Sequence, residues 1–179
     1  MSELRTNRIV PRDGLPAGSS GGIIQVKMGV TTSQSITSSG NWDATSLSVT
    51  ITPTRSDSKI FIMCSGGMNG PAGGSSPCHI GYKIYRSIGG GSYAETESSS
   101  GGQSQYYGGP DEYNTLSINY LDSPSTTSAV TYKLYQKSIT GGSTASVNRN
   151  SNNQTQMIAM EVSGSVSYTH LTLPTICSV

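Results

Sequence analysis

The sequence predicts an all-β fold: an antiparallel β-sandwich of jelly-roll type with an extended N-terminal arm. The first observation behind this prediction is the alternation of apolar and polar residues, as at Leu47, Val49 and Ile51, which is the period of a half-buried strand. The second is the regular spacing of turn segments rich in Gly, Ser, Pro and Asn between such runs. Roughly eight to ten short strands without helical periodicity are typical of sandwiches and jelly rolls.

The composition narrows the class of protein. The chain has 179 residues, of which 33% are hydrophobic and 12% are charged, with 22 glycines and a net charge of +1. Both fractions are low for a globular domain, but a disordered chain would combine high net charge with few β-branched residues. A single β-rich domain with a hydroxyl-rich surface and a tail is therefore predicted.

Charge and hydropathy argue against two kinds of partner. Arg5, Arg8 and Arg12 cluster near the start of the chain, whereas a nucleic-acid-binding surface needs a longer basic stripe. No run approaches the roughly eighteen apolar residues of a membrane-spanning helix. The N-terminal segment lacks the apolar core of a signal peptide, so we expect synthesis and folding in a cytoplasm.

Residues 1–22 are predicted to form an extended arm that attaches the domain to a partner. Leu4, Ile9 and Val10 are its main apolar residues, and the small residues that end it make an extended or flexible link. Such a segment has too little apolar surface to fold alone, so a disordered terminus is the alternative. The sandwich domain is predicted over residues 23–164.

The segment Thr45–Cys64 gives the clearest strand signal in the chain. A first alternating run ends at Pro53, polar residues follow, and Ile60, Ile62 and Cys64 make a second run. The pattern predicts two antiparallel strands joined by a turn, with the apolar residues of both on one face.

The other strands are predicted from the same alternation. In the last of them, Ile158, Met160 and Val162 form the predicted apolar face. The glycine-rich segments 65–77 and 98–110 are predicted to be loops. The predicted strands cover 23–30, 79–86, 92–96, 116–120, 130–134, 144–149 and 158–162, and residues 31–39 continue the first strand or pair with it.

Trp42 is the single tryptophan of the chain. We predict that it closes one end of the sheet as part of the core, because large aromatic side chains contribute most when they are buried. A surface platform on which a sugar ring stacks is the alternative.

The three cysteines, Cys64, Cys78 and Cys177, are odd in number and lack CxxC spacing. They therefore form neither a disulfide framework nor a zinc site. Cys64 falls on the apolar side of its strand and is predicted to be a small buried hydrophobic residue. A Cys64–Cys78 disulfide is the alternative.

No residue pattern indicates catalysis, a metal or a cofactor. His79 is the one histidine before the tail, and the sequence contains no GxSxG, HExxH or P-loop motif. A polysaccharide-cutting enzyme is a remote alternative, because it needs paired carboxylates across a groove and the acidic residues here are sparse and mostly beside turns. The protein is therefore predicted not to be an enzyme.

The end of the chain differs in style from the rest. Residues 166–175, VSYTHLTLPT, resemble the translation of a sequencing-library transposase adapter. Residues 165–179 are therefore expected to be a non-native tail, with the natural C-terminus near Gly164 or missing, and His170 and Cys177 are expected to carry no function. A genuine last strand with alternating leucines is the alternative.

Five segments together resemble a family of small virion proteins. They are LRTNRIVPRDG at 4–14, GIIQV at 22–26, LSVTITPTRSDSKIFI at 47–62, YLDSPSTTSAVTYKLY at 120–135 and IAMEVSG at 158–164. In this order they are similar to tail-fibre-like virion structural proteins of tailed bacteriophages, common in aquatic phages. The resemblance implies a β-sandwich head on an attachment arm, a homotrimer that meets other virion proteins through the arm, and no catalysis. It also implies assembly in the bacterial cytoplasm and location in the virion.

The resulting functional hypothesis is a virion component that recognises a host-surface glycan through its loops. Tyr93, Tyr106, Tyr107 and Tyr113 are the candidate ligand residues, because aromatic faces stack on sugar rings at little cost in rotamer entropy. The alternative for each tyrosine is that it covers an edge of the core. The alternative for the whole protein is a purely architectural capsid-decoration or tail-collar subunit without a ligand.

Overall fold

A computed structural model describes residues 22–69, 78–109, 112–139, 144–148 and 153–163. Apart from Gly22, the predicted arm lies outside these ranges, as does the predicted tail. No helix in the described part of the chain is long and apolar enough to span a membrane. The described strands are β1 (Ile23–Thr31), β2 (Ser35–Thr37), β3 (Asp43–Ile51), β4 (Lys59–Asn69), β5 (Cys78–Ile88), β6 (Ala94–Glu95), β7 (Ser104–Gly108), β8 (Tyr113–Asp122), β9 (Val130–Ser138), β10 (Ala145–Val147) and β11 (Thr155–Val162).

These strands form two antiparallel sheets, so the all-β sandwich is confirmed. Sheet A has the order β1-β11-β4-β8. In addition, β10 pairs with the C-terminal end of β4, and β2 pairs with β10. Sheet B has the order β3-β9-β5, with β7 and β6 both paired to the free edge of β5.

The strand pairing is that of a jelly roll. Strands from the first half of the chain pair with strands from the second half in reverse order: β1 with β11, β3 with β9, β4 with β8 and β5 with β7. The chain is thus folded back on itself as one long hairpin and then wrapped into two sheets. This confirms the predicted fold type.

The prediction that the two strands of Thr45–Cys64 pair with each other is wrong. β3 belongs to sheet B and pairs with β9, whereas β4 lies at the centre of sheet A between β11 and β8. The turn after Pro53 carries the chain from one sheet to the other. The alternation identified both strands correctly, but their apolar sides face each other across the core instead of lying side by side.

The core lies between the sheets, and Cys64 belongs to it as predicted. Cys64 and Cys78 are not joined in a disulfide, and burial raises the pKa of the Cys64 thiol to about 12. The buried apolar residues include Leu47, Val49, Ile51, Ile60, Ile62, Met68, Ile80, Tyr82, Ile84, Tyr106, Leu116, Ile118, Val130, Tyr132, Leu134, Val147, Met157 and Ala159.

The predicted apolar face of the last strand is wrong. In β11 the buried positions are Thr155, Met157, Ala159 and Glu161, while Ile158 and Met160 lie partly exposed on the outer side of sheet A. Both faces of this strand carry apolar residues, so alternation alone could not tell the inner side from the outer side.

Two predicted loops contain strand residues. β4 continues to Asn69, and Gly66 fits there because a Cβ at that position would lie 2.2 Å from Oγ1 of Thr155. β7 lies within the predicted loop 98–110. Glycine and serine weaken the strand signal at both places, but pairing with β8 and β5 holds these segments in the sheets.

Glu161 is a fully buried carboxylate that accepts four hydrogen bonds. Gln25 Nε2 on β1 donates to Oε2 at 2.6 Å, and the backbone N–H and Oγ1 of Thr54 donate to Oε1 at 2.7 Å each. Ser58 Oγ also donates to Oε1 at 2.7 Å. The carboxylate therefore fixes the turn between β3 and β4 onto β11 and β1.

Asp122 links the two sheets. Nη1 of Arg86, on β5, lies 2.7 and 2.8 Å from its two carboxylate oxygens, and the Tyr132 hydroxyl on β9 donates to Oδ2 at 2.7 Å. Asp122 itself ends β8 of sheet A and is buried. A buried charge held by a guanidinium and a hydroxyl costs far less than an unpaired one.

The two ends of the domain lie side by side. The Ser163 N–H donates to the Gly22 carbonyl oxygen at 3.2 Å. This contact continues the antiparallel ladder of β1 and β11, in which Ile23 lies opposite Val162.

We predict that Glu161→Gln lowers the free energy of unfolding by about 2–4 kcal/mol, because a buried amide cannot accept all the bonds that the carboxylate accepts. Urea denaturation measures the loss. The matched control is Asp57→Asn in the same turn, where the carboxylate pairs with Arg55 in solvent and its replacement should leave stability nearly unchanged. Equal stability of Glu161→Gln and the native chain would contradict the role given to Glu161.

We predict that acid destabilises the protein through Glu161. Burial raises the pKa of this carboxyl, but hydrogen bonds from Gln25, Ser58 and Thr54 outweigh it and place the pKa below its ordinary value of 4.5. The resulting stability is present above the unfolded-state pKa and is lost as pH falls through the lower folded-state pKa. Urea titrations over this pH range should show the gap between the native chain and Glu161→Gln closing, and a gap that does not change with pH would contradict this.

Candidate functional site

Trp42 lies on the outer surface of sheet B and not in the core, so the prediction that it closes the end of the sheet is wrong. Its side chain is partly exposed. The indole packs on bare backbone: a Cβ added at Gly81 or Gly102 would lie 3.2 or 2.9 Å from its Cη2 atom. Gly102 also has a φ of +95°, which side-chain-bearing residues rarely adopt. The two glycines therefore leave a flat backbone surface against which the Trp42 ring packs.

Three tyrosines extend the surface that Trp42 begins. Tyr85 on β5 and Tyr135 on β9 stack with their ring centroids 4.1 Å apart, and Trp42 lies 6.4 Å from Tyr85. Tyr93, just before β6, lies 6.0 Å from Tyr135. We call these four residues the aromatic face of sheet B.

A buried lysine lies beneath the aromatic face. The Lys83 side chain is only 1% exposed, and its Nζ lies 3.1 Å from Glu95 Oε2, 3.8 Å from Glu97 Oε1 and 4.9 Å from the Trp42 ring centroid. Glu95 also accepts a hydrogen bond from the Tyr85 hydroxyl at 2.9 Å. The bonds from Tyr85 and then Lys83 lower the pKa of Glu95. The cluster therefore joins the aromatic rings to a fixed set of charges.

Two further lysines border the same surface. Lys137 Nζ lies 4.6 Å from the Trp42 ring centroid, and Lys133 Nζ lies 5.7 Å from that of Tyr93. Both side chains are partly exposed. Because Lys83 is already neutralised by two carboxylates, Lys133 and Lys137 give the rim of the aromatic face its outward positive charge.

Two of the predicted ligand tyrosines lie near this surface. Tyr93 belongs to the aromatic face. Tyr107 lies in β7 and not in a loop; its ring is 69% exposed and meets His79 edge-on, with centroids 5.6 Å apart. It stands at the far end of the outer side of sheet B, where His79 also lies 2.7 Å from Gln105 through Nε2 and Oε1.

Tyr106 does not lie in a ligand loop, and this part of the prediction is corrected by its position. It is in β7 with its side chain 1% exposed in the core, opposite Ile80. Its hydroxyl donates to the Gly109 carbonyl oxygen at 2.6 Å and lies 3.2 Å from Glu112. Burial raises its pKa to about 12. The alternative that a tyrosine covers the core holds here.

Tyr113 lies on the opposite side of the molecule. It begins β8 and is 62% exposed. It lines an open groove of about 540 Å³ on sheet A, whose other lining residues are Gly66, Gly67, Asn114, Thr115, Asn153 and Gln154. The structure therefore separates Tyr113 from the aromatic face by the full thickness of the sandwich.

The sequence prediction named Tyr93 and gave a surface platform as the alternative for Trp42, but it did not include the other two residues of the aromatic face. Tyr85 and Tyr135 each follow a core residue, Ile84 or Leu134, by one position. Period two therefore places both of them on the outer side of their strands. Large aromatic residues at outward positions of two strands are the signal that could have found this surface, although which strands are neighbours was not available from the sequence.

In the part of the chain that the structure describes, no three His, Cys, Asp or Glu side chains are grouped so as to hold a metal ion. The buried carboxylates of Glu161 and Asp122 instead accept hydrogen bonds from donors of the protein itself.

No protein-family model matches the chain, and no curated protein matches it. The CBM22-1 xylan-binding domain of Paenibacillus barcinonensis Xyn10C is similar to it at 13% identity, over 84% of this chain and 100% of that domain, with a TM-score of 0.33.

We predict that Lys83→Met raises the pKa of Glu95 toward its ordinary value of 4.5, because the variant removes one of the two donors that stabilise the carboxylate. Side-chain carboxyl shifts followed by NMR against pH measure the change. Lys133→Met is the control, since that ammonium lies over Tyr93. An unchanged Glu95 pKa in Lys83→Met would mean that Tyr85 alone holds the carboxylate.

Proposed function

We propose that this chain is a carbohydrate-binding structural component of a tailed-phage virion, and that the aromatic face of sheet B holds the sugar. The observation that carries the proposal is the grouping of Trp42, Tyr85, Tyr93 and Tyr135 on one outer surface. Aromatic side chains combine a large apolar body with few rotatable bonds, so they bind flat apolar faces at little entropic cost.

Sugar rings present such apolar C–H faces, with hydroxyls around their edge. The aromatic face matches this division, because its rings are bordered by ammonium groups that donate hydrogen bonds and carboxylates that accept them. Lys133, Lys137 and Glu95 are partly exposed at this border. The rigidity of the site comes from Tyr85 and Lys83, which are buried and held by Glu95.

The virion part of the proposal rests on the five sequence segments. Three of them supply the buried acids and their partners: Thr54 and Ser58 in 47–62 bind Glu161 in 158–164, and Asp122 binds Tyr132 within 120–135. These segments therefore specify the scaffold, and a shared scaffold does not specify a shared ligand. The homotrimer, the contact of the arm with other virion proteins, the virion location and the lack of catalysis are parts of the same proposal.

We predict that the purified full chain binds host-cell glycans and that Trp42→Ala weakens this binding about tenfold or more, the equivalent of about 1.4 kcal/mol. A glycan array identifies a soluble oligosaccharide. Its titration then reports directly on the site, because Trp42 is the only source of tryptophan fluorescence. Tyr135→Ala should weaken binding in the same direction.

Tyr113→Ala is the matched control, because it removes an exposed tyrosine from the opposite sheet. Loss of binding in Tyr113→Ala with normal binding in Trp42→Ala would move the site to the groove on sheet A. No binding to any glycan or host cell would leave the architectural subunit as the function.

A further inference from the structure

The outer side of sheet A carries a continuous apolar surface. In one cross-strand row, Val26 of β1, Met160 of β11, Phe61 of β4 and Leu121 of β8 lie next to one another in register. The next row contains Met28, Ile158 and Met63. We call these seven residues the apolar face of sheet A.

The apolar face is unusually exposed for side chains of this kind. Met28 is 60% exposed, Leu121 55% and Val26 54%, while Phe61, Ile158 and Met160 are partly exposed. Isolated apolar residues are normal on a protein surface, but a contiguous patch of several strands marks a contact surface.

The same side of the sheet is almost free of charge. Along the outward positions of β1, β11, β4 and β8, as far as these strands are described, the one charged side chain is Lys59, at a corner, and its Nζ donates to Ser123 Oγ at 2.7 Å. The neighbouring outward positions are polar and neutral, such as Ser65, Ser117 and Asn119. The surface therefore combines an apolar patch with uncharged polar neighbours, a composition that suits a protein–protein interface.

We propose that copies of this chain pack against one another through the apolar face of sheet A. A neutral surface meets an identical copy without like-charge repulsion and without burying an unpaired charge, which removes the main penalty on self-association. Four strands about 4.8 Å apart and about 30 Å long give the whole outer side of the sheet, of which the apolar face is a part, an area on the order of 600 Å² per copy. This approaches the roughly 800 Å² per partner of a stable interface.

This inference names the contact surface of the homo-oligomer in the proposed function and rests on that assembly, not on sugar binding. In a trimer the apolar face turns toward the threefold axis, and the aromatic face of sheet B, on the opposite side of the sandwich, points outward. The two surfaces thus divide assembly and recognition between the two sheets.

Light scattering on the full chain, over about a hundredfold range of concentration, tests the proposal. The native chain should form an oligomer, and the double variant Met28→Glu with Met63→Glu should weaken association at least about a hundredfold, because charges would then be buried at the contact. Leu121→Lys, on the far strand of the same face, should act in the same direction. Ile88→Glu is the matched control: Ile88 is an exposed apolar residue at the end of β5, and its variant should assemble normally.

Circular dichroism and thermal denaturation establish that each variant is folded, which is expected because the altered side chains are exposed. A native chain that is monomeric at every concentration would overturn both the oligomer and this surface. An oligomer that survives Met28→Glu with Met63→Glu would overturn this surface alone. A monomer whose melting temperature falls in these variants but not in Ile88→Glu would show that another segment of the same chain covers the face.

Discussion

A buried carboxylate holds the crossing between the two sheets, and the wrapped arrangement of the strands depends on that crossing. The turn after Pro53 takes the chain from β3 in sheet B to β4 at the centre of sheet A. Glu161 closes this turn by accepting bonds from the backbone and side chain of Thr54 and from Ser58, and it holds β1 through Gln25. A neutral or apolar residue could fill the same volume, but it could not satisfy these converging donors, which would remain buried and unpaired.

Much of the fold was predictable because period two survives wherever one side of a strand is buried, as in β3, β8 and β9. What alternation does not contain is the identity of the neighbouring strand. In this chain β3 pairs with β9, about eighty residues away. The prediction paired β3 with β4 because the two strands are neighbours in sequence. The inner side of β11 was misassigned for a related reason: Ile158 and Met160 are apolar, yet they face outward.

The candidate site was only partly predictable, and Trp42 shows why. Its hydrophobic bulk suggests a core position, but its ring packs against the backbone at Gly81 and Gly102. These two glycines belong to different segments and come together only in the folded chain. The sequence predicts ligand tyrosines in loops, whereas Tyr85 and Tyr135 lie in strands on the outer side of sheet B. Composition could reveal that aromatic residues were present, but their grouping around Lys83 depends on the register of β5 and β9.

The adjacency of Gly22 and Ser163 has a mechanical consequence. A force that pulled the two ends of the domain apart would act first on one end of the β1–β11 ladder. It would break the hydrogen bonds between these strands one after another. Paired strands resist tension best when the force acts along them in shear, because many hydrogen bonds must then break at once. Here the force would instead peel β1 away from β11. The domain is therefore suited to attachment at a single point and poorly suited to transmitting tension between its two ends.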